Sequence, residues 1–432
     1  MIRVFTNGVF DLFHEGHFNL LRKAKSLGDY LLVGVASDES CEKYKRRPFQ
    51  DWEQRAEKVR SIPFVDEVIK TPWSVDLKRQ FYIENSIDIQ AQGDKGSSFR
   101  VAEDLGVLRV IGTTEGISTT KILRILNSEY SEVIDKGFLN DVRKVFFEGE
   151  YYIIKYGNRT VARKYPLSLP KIRIKDEYAV ISAFRSVLDD PSFIVKPVCS
   201  DENELIIFES APDEAESLFD WLIEGRSVDE GLFLQVIEKL AQLHNATYNN
   251  DELRARHSNN ECFHEIKVGT QCLKATDDGE IGRLISSFIE RSMEIKSVLL
   301  HGDFAPKNIL VWTRGVLFID FEESGYSDPA LDIGYFIAHI FIHGIISNNS
   351  FLIEMTDFMI KRYASCFSFS RDDIHLVDRI NVYVGIFLLS RVNSPAKADY
   401  ISAAKKDEIL SLGEGKIKLH MEKLEKSGFI FH

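Results

Sequence analysis

Within its first 36 residues the chain completes a pattern that few folds can accommodate. Ile2 to Phe5 is a short apolar run. From Phe18 to Leu27 apolar residues recur at helical spacing and stop at Gly28, and Tyr30 to Ala36 is a second apolar run. Strand, helix and strand in that length make a βαβ unit, which implies a parallel sheet with its site at the carboxyl ends of the strands. The turn into the helix reads Thr6-Asn7-Gly8-Val9-Phe10-Asp11-Leu12-Phe13-His14-Glu15-Gly16-His17. Backbone amides and the dipole at a helix N-terminus already favour phosphate there. Two imidazoles on that turn can donate hydrogen bonds to phosphate oxygens as charge builds up, with no nucleophilic side chain required. Taken alone, the two histidines could equally cap the helix or bind a metal.

A second constellation lies in the other half. An apolar run, Val298 to Leu300, ends in His301-Gly302-Asp303-Phe304-Ala305-Pro306-Lys307-Asn308, and Leu317-Phe318-Ile319-Asp320-Phe321-Glu322 follows. Phosphoryl transfer asks a protein mainly for positioning and charge neutralisation. Asp303 can serve as base or orienting carboxylate for an acceptor hydroxyl. Asn308 and Asp320 offer the hard oxygen ligands that Mg2+ prefers on nucleotide phosphates. His301 fits a supporting role in the loop. Asp328-Pro329-x-x-Asp332 is expected to brace it, and His244 to pack at the end of the helix Glu230 to His244. Glu322, Glu323, Tyr326 and Tyr383 are candidates for the acceptor pocket.

At 432 residues the chain is long for one core, and two or three domains are expected. A formal charge of −12 argues against nucleic acid as a partner, because binding a phosphate backbone wants a basic face. The five cysteines are scattered, without any C-x-x-C, which fits reduced thiols and a cytoplasmic location. Met1 runs straight into a strand pattern with no signal peptide. The longest apolar stretch, Tyr335 to Ile346, is interrupted by His339 and His343 and is too short for a membrane span.

The first motif, with Thr114-Glu115-Gly116-Ile117-Ser118-Thr119-Thr120-Lys121-Ile122 about 100 residues on, resembles the cytidylyltransferase family of nucleotidyltransferases, nearest to those acting on glycerol-3-phosphate and phosphoethanolamine. The likeness extends through Gly28-Asp29-Tyr30, Trp52-Glu53-Gln54-Arg55 and Val65-Asp66-Glu67-Val68. It implies that His14 and His17 stabilise the α-phosphate of CTP in the transition state. Ser118, Thr119 and Thr120, at the start of a helix Thr119 to Leu126, would hold the β and γ phosphates. Arg55 looks like the family's phosphate-binding arginine. Gly93 and Asp94 resemble its nucleotide-contacting loop, and Gly8, Phe10 and Gly16 shape the first one. Asp11 orients either the motif or a Mg2+-bound phosphate. The basic stretch Lys43, Lys45 and Arg46 could reach the triphosphate or the phosphorylated acceptor. One departure matters: relatives commonly carry Arg where this chain has Thr113, which removes a planar five-donor contact and makes the choice of base less secure. The resembled enzymes are commonly dimers, so a homodimer through the N-terminal domain is one expectation.

The second motif, with Gly325-Tyr326-x-x-Pro329-Ala330-x-Asp332-Ile333, resembles the aminoglycoside phosphotransferase and choline/ethanolamine kinase family. That implies a kinase-like small lobe whose strands are Val145 to Phe147, Tyr151 to Tyr156 and Thr160 to Tyr165. The third strand should present a cation to the ATP phosphates. Val-Ala-x-Lys spacing favours Lys164 and the family's apolar-x-apolar-Arg pattern favours Arg163, on opposite faces of the strand. Glu177 is the expected partner of that cation. Glu209-Ser210-Ala211, after the strand Leu205 to Phe208, is the expected adenine-binding hinge.

The expected fold class is therefore α/β. It comprises a Rossmann-like nucleotidyltransferase sheet with helices on both faces (1–127), a linker (128–142), and a two-lobed kinase-like α+β domain (143–432, lobes 143–211 and 212–432). A kinase that phosphorylates a small alcohol makes the substrate that a cytidylyltransferase needs. The expected activity is therefore sequential, from alcohol to phospho-alcohol to CDP-alcohol, for a lipid headgroup or a surface polysaccharide. Ethanolamine, choline, glycerol and longer polyols all fit the motifs. Two alternatives stay open: an adenylyltransferase using ATP fused to a sugar or alcohol kinase, and a cytidylyltransferase with a non-catalytic kinase-like module.

Overall fold

The computed structural model of the protein describes residues 1–44, 46–93, 99–114, 118–126, 131–136, 140–147, 150–157, 173–201, 205–276, 279–369, 373–394, 398 and 400–429. The chain divides into two compact units. One comprises Met1–Val161 and Pro197–Ser210, the other Ala162–Lys196 and Ala211–His432.

The first unit opens with the expected βαβ pattern: strand β1 (Arg3–Gly8), the helix Glu15–Lys25 and strand β2 (Tyr30–Ala36). With β3 (Glu67–Thr71), β4 (Ile89–Gln92) and β5 (Leu108–Val110) they form a parallel sheet of order β3-β2-β1-β4-β5. Alternation along the strands sends side chains to two separate cores, as the pleat requires. Val4, Leu31, Val33 and Val35 pack with Leu21, Ala56 and Val59 on one face. Phe5 and Leu32 pack with Leu77, Tyr82 and Ala102 on the other. Chain order reverses direction at β1, so the strands' carboxyl ends around β1 and β4 form the crevice where such sheets bind ligands.

The same unit holds an antiparallel sheet of order β6-β7-β8-β10-β9, built from Ser131–Lys136 (β6), Asn140–Phe147 (β7), Glu150–Gly157 (β8), Pro197–Asp201 (β9) and Leu205–Glu209 (β10). The stretch 128–142, expected as a linker, thus contains β6 and the start of β7. Pairings such as Val133 with Arg143 supply its backbone partners. The expected strand Thr160 to Tyr165 lies outside the described residues. Leu12, Ile122 and Ile125, each fully buried, join one apolar cluster with Val145, Tyr152, Ile154, Val198, Leu205 and Ile207 of this sheet.

The second unit is mainly helical. Its site is carried by the short strand β12 (Val298–Leu299), which pairs with β15 (Tyr326–Ser327), and by the hairpin of β13 (Ile309–Trp312) and β14 (Gly315–Phe318); the two-residue β11 (Glu216–Ser217) extends that hairpin. The helices Ala330–Ser347 and Leu376–Asn393 are buried along nearly their whole length. Among the described residues, Ala330–Ser347 is the helix long and apolar enough to cross a membrane, and 89% of it is buried within the protein. Core packing therefore accounts for its composition.

Candidate functional site

In the first unit the loop after β1 is held in an unfavourable shape. Phe10 and Leu12 take left-handed backbone conformations, φ 56° and 47°, which cost of order 1–3 kcal/mol each and persist only where surroundings impose them. The surroundings are visible. Asp11, 1% exposed, accepts from the backbone N–H groups of Phe49 and Gln50 at 3.0 Å each and from the Arg46 guanidinium at 3.2 Å. The Gln50 side chain accepts from Leu12 N–H at 3.0 Å. Between the two readings of Asp11, orienting the motif has the direct contacts.

Arg55, expected to bind phosphate, reaches into the protein beneath the loop. Its side chain is 0% exposed, and its guanidinium donates to the carbonyls of Val9, Ala36 (2.8 Å) and Gln50 (3.1 Å) and to the Asp38 carboxylate. A guanidinium with four protein acceptors clamps the loop from beneath. Lys43 pairs with Asp76 at 3.5 Å, and Lys45 and Asp94 lie outside the described residues.

The clamp fixes the histidine pair. His14 caps the helix Glu15–Lys25: its Nδ1 accepts from Gly16 N–H at 3.1 Å, while His14 N–H donates to Nδ1 of His17 at 3.4 Å. The rings stack with centroids 3.8 Å apart. Burial lowers the His14 pKa to about 4, and burial together with His14 holds His17 well below its ordinary value. Both rings are therefore neutral near pH 7. With each Nδ1 occupied as an acceptor, each Nε2 carries the hydrogen. Two N–H donors thus stand at a helix N-terminus.

Ser118 and Thr119 come to the same loop. Thr119 Oγ1 donates to the Asp11 carbonyl at 3.1 Å, and Ser118 Oγ accepts from Lys121 N–H at 3.2 Å, capping the helix Thr119–Leu126. Thr120 is exposed on its first turn. Gly93, at the end of β4, lies so close to Thr113 that a Cβ there would meet its Cγ2 at 2.9 Å. Gly8 has similarly little room, with the Phe10 ring 3.2 Å from where a Cβ would stand. Glu209 is an exposed residue at the end of β10, and Ala211 lies two residues further along the chain. Arg163 and Lys164 lie outside the described residues. In the described part of the antiparallel sheet, the buried lysine is Lys155 on β8, 6% exposed, which the sequence pattern did not single out.

In the second unit the loop 301–308 is braced by Asp332, whose carboxylate accepts from the N–H groups of His301 at 2.7 Å and Gly302 at 3.0 Å. His244 Nε2 stands 3.2 Å from the same carboxylate and its Nδ1 2.6 Å from the Tyr363 hydroxyl, which makes it a buttress. His301 Nε2 donates to the Ile319 carbonyl at 3.0 Å, and burial lowers its pKa. Gly302 is required: its φ is +89°, and a Cβ would stand 1.9 Å from the Glu323 carbonyl oxygen.

Asp303 sits at the centre. Lys267 reaches its Oδ1 at 2.9 Å, and Lys307 its Oδ2 at 2.9 Å. Asn308 Nδ2 donates both to Asp303 Oδ2 (2.9 Å) and to its carbonyl (2.8 Å). Burial alone would raise the Asp303 pKa, but Lys267 and Lys307 outweigh it and hold the carboxyl well below the usual range. Lys267 was not legible in the sequence. It is fully buried on a π-helical stretch, Phe263–Cys272, where such irregular turns re-aim side chains at functional sites. It also lies 3.3 Å from Glu323 and over the Tyr335 ring at 3.7 Å.

Asp320, with φ +68°, brings a carboxylate oxygen within 4.8 Å of oxygens from Glu177 and Glu322. Glu177 also accepts from Phe321 N–H at 3.3 Å. With the Asn308 amide nitrogen committed to Asp303, its carbonyl oxygen remains as an acceptor. This all-oxygen set suits Mg2+. Two expected pocket residues are structural instead. Tyr383 is fully buried with its hydroxyl 2.9 Å from Ser292, and the Tyr326 hydroxyl donates to the Thr247 carbonyl at 2.8 Å.

Comparison with known proteins places both halves. Residues 5–125 match the family described as cytidylyltransferase-like, and residues 147–345 match the phosphotransferase enzyme family. Glycerol-3-phosphate cytidylyltransferase of Bacillus subtilis is 40% identical over 124 residues, covering 28% of this chain and 95% of that protein. Ethanolamine-phosphate cytidylyltransferase of Arabidopsis thaliana is 36% identical over 132 residues, 28% of this chain, and the match spans only 31% of that protein's length. Among solved structures, an amicoumacin kinase in complex with AMP-PNP and Ca2+ matches at 16% identity with a TM-score of 0.43, over 71% of this chain and 94% of that one. The chain belongs to the cytidylyltransferase-like family through its N-terminal domain and is a nucleotidyltransferase joined to a kinase, the latter in the stretch that matches the phosphotransferase enzyme family.

Proposed function

We propose that this enzyme makes a CDP-activated alcohol in two steps. The C-terminal site moves the γ-phosphoryl group of ATP to the hydroxyl of a small alcohol. The N-terminal site then joins the phospho-alcohol to CMP from CTP and releases pyrophosphate. The observation that carries this reading is the neutral His14–His17 pair, with both Nε2–H groups at a helix N-terminus, in a domain 40% identical to a glycerol-3-phosphate cytidylyltransferase. As an oxygen of the phospho-alcohol attacks the α-phosphorus, negative charge grows on the non-bridging oxygens. Two preoriented N–H donors are worth most at that point. Ser118 and Thr119 suit the leaving pyrophosphate through hydroxyl and amide donors.

At the other site Asp303 is too strongly held as a carboxylate to take a proton early. It orients the acceptor hydroxyl and receives the proton as the bond to phosphorus forms. Mg2+ held by Asn308 and Asp320 would neutralise phosphate charge when bound.

The test is mass spectrometry of the purified chain with ATP, CTP, Mg2+ and a panel of alcohols. Asp303→Asn should abolish phosphorylation yet leave cytidylyl transfer to a supplied phospho-alcohol, and His17→Asn should do the reverse. Absence of any CDP-linked product from the wild-type protein would sink the sequential scheme.

A further inference from the structure

Beyond Asp303 the second unit buries a row of polar groups that no described residue satisfies. Lys267 bridges Asp303 to the Tyr335 ring, and Tyr335 packs edge-on against His339 at 4.8 Å. One helical turn further on stands His343, stacked on Tyr400 at 5.4 Å. His339 and His343 are 4% and 2% exposed. Among the described residues neither ring nitrogen of His339 has a hydrogen-bond partner, nor does Nε2 of His343 or Oε2 of Glu323. The Glu323 oxygen is near Lys267 without being aligned for a hydrogen bond. Buried groups of this kind each cost on the order of 1–3 kcal/mol when unmet, and natural proteins rarely leave several together. Something that binds there must supply the partners.

Their chemistry restricts the occupant. Burial, with Arg391 as a second cause, keeps His339 neutral, and burial keeps His343 neutral. A neutral imidazole needs one acceptor and one donor. A hydroxyl offers both. An ammonium group offers donors only, and a trimethylammonium offers neither. The fixed charges reinforce the distinction. Lys267 lies in the row, and Arg391 is close enough to act on His339, Asp303 and Glu323. The two cations balance the Asp303 and Glu323 carboxylates, so the row offers no surplus negative charge to draw a cationic acceptor.

Resting on the kinase reading above, we infer that the alcohol phosphorylated at Asp303 is an uncharged polyol or sugar, whose further hydroxyls pair with His339 and His343, rather than an amino alcohol. The full chain with ATP and Mg2+ is assayed for ADP release and phosphorylated product on glycerol, erythritol, ribitol, glucose, ethanolamine and choline. At least one polyol or sugar should exceed both amino alcohols in kcat/KM by about tenfold or more, as expected for a site with hydrogen-bonding groups that only one class can meet. His339→Gln and, separately, His343→Gln should raise KM for that acceptor by about five- to tenfold with the KM for ATP unchanged. Preference for ethanolamine or choline would overturn the inference and leave the kinase reading standing. Unchanged acceptor KM in both variants would overturn it too, assigning these groups to internal water. Phosphorylation of none of the six, with ATP hydrolysis indifferent to Asp303→Asn, would overturn the kinase reading with it.

Discussion

Replacing Glu323 with Gln should stabilise the enzyme, and only above a definable pH. Glu323 is 7% exposed, and burial, with Asp303 adding to it, pushes its pKa from the ordinary 4.5 up to about 7, even against Lys267. A folded-state pKa above the unfolded one means that the folded protein binds this proton more tightly. The stabilisation is complete below pH 4.5 and is lost as pH rises through 7. At about 1.4 kcal/mol per pH unit, the ionised carboxylate therefore costs about 3 kcal/mol at pH 8 relative to its protonated form. Gln has nearly the same volume and no such titration. The other buried groups of the site, Asp303 and His339 among them, are common to both proteins, and their contributions cancel to first order. The stability difference between Glu323→Gln and wild type, from urea unfolding followed by tryptophan fluorescence, should grow by about 3 kcal/mol between pH 4.5 and pH 8 and then level off. A difference that stays flat with pH, or that falls as pH rises, would refute the electrostatic account of this cluster.

Two further outcomes follow from packing. Gly302→Ala must both hold a left-handed φ and displace the Glu323 carbonyl, so its cost in urea unfolding should exceed the ~1–3 kcal/mol of a strained residue alone, with phosphorylation lost; wild-type stability would contradict the geometry. Ending the chain after residue 126 uncovers Leu12, Ile122 and Ile125, worth up to about 5–9 kcal/mol together, which rivals the whole stability of such a domain. That fragment should melt well below the full chain's N-terminal domain and bind hydrophobic dye, and an equal melting temperature with full cytidylyltransferase activity would count against it.

Parts of both sites could be read directly because phosphate chemistry is local in sequence. A loop that turns from β1 into a helix must place Gly8, His14 and His17 within ten residues, and one loop carries the candidates Asp303 and Asn308 five apart. What stayed hidden depends on contacts that periodicity cannot register. Arg55 follows a turn and carries the charge a triphosphate would want, so it resembled a ligand; only its reach to the carbonyls of Val9 and Ala36, 46 and 19 residues away, makes it the clamp of a strained loop. Lys267 sits 36 residues before Asp303 on an irregular helix whose pattern carries no motif. Strand β6 and the first residues of β7, read as a linker, hid for a related reason, since their pairing partners, not their own alternation, satisfy their backbone. His339 and His343 show the same limit from the other side. In the sequence they interrupt an apolar run and read as blemishes on a core helix, and only their unmet nitrogens beside Tyr335 and Tyr400 make them candidates for contacting the acceptor. The candidate transfer residues are thus written in contiguous stretches, whereas the candidate acceptor contacts are side chains brought together by the fold.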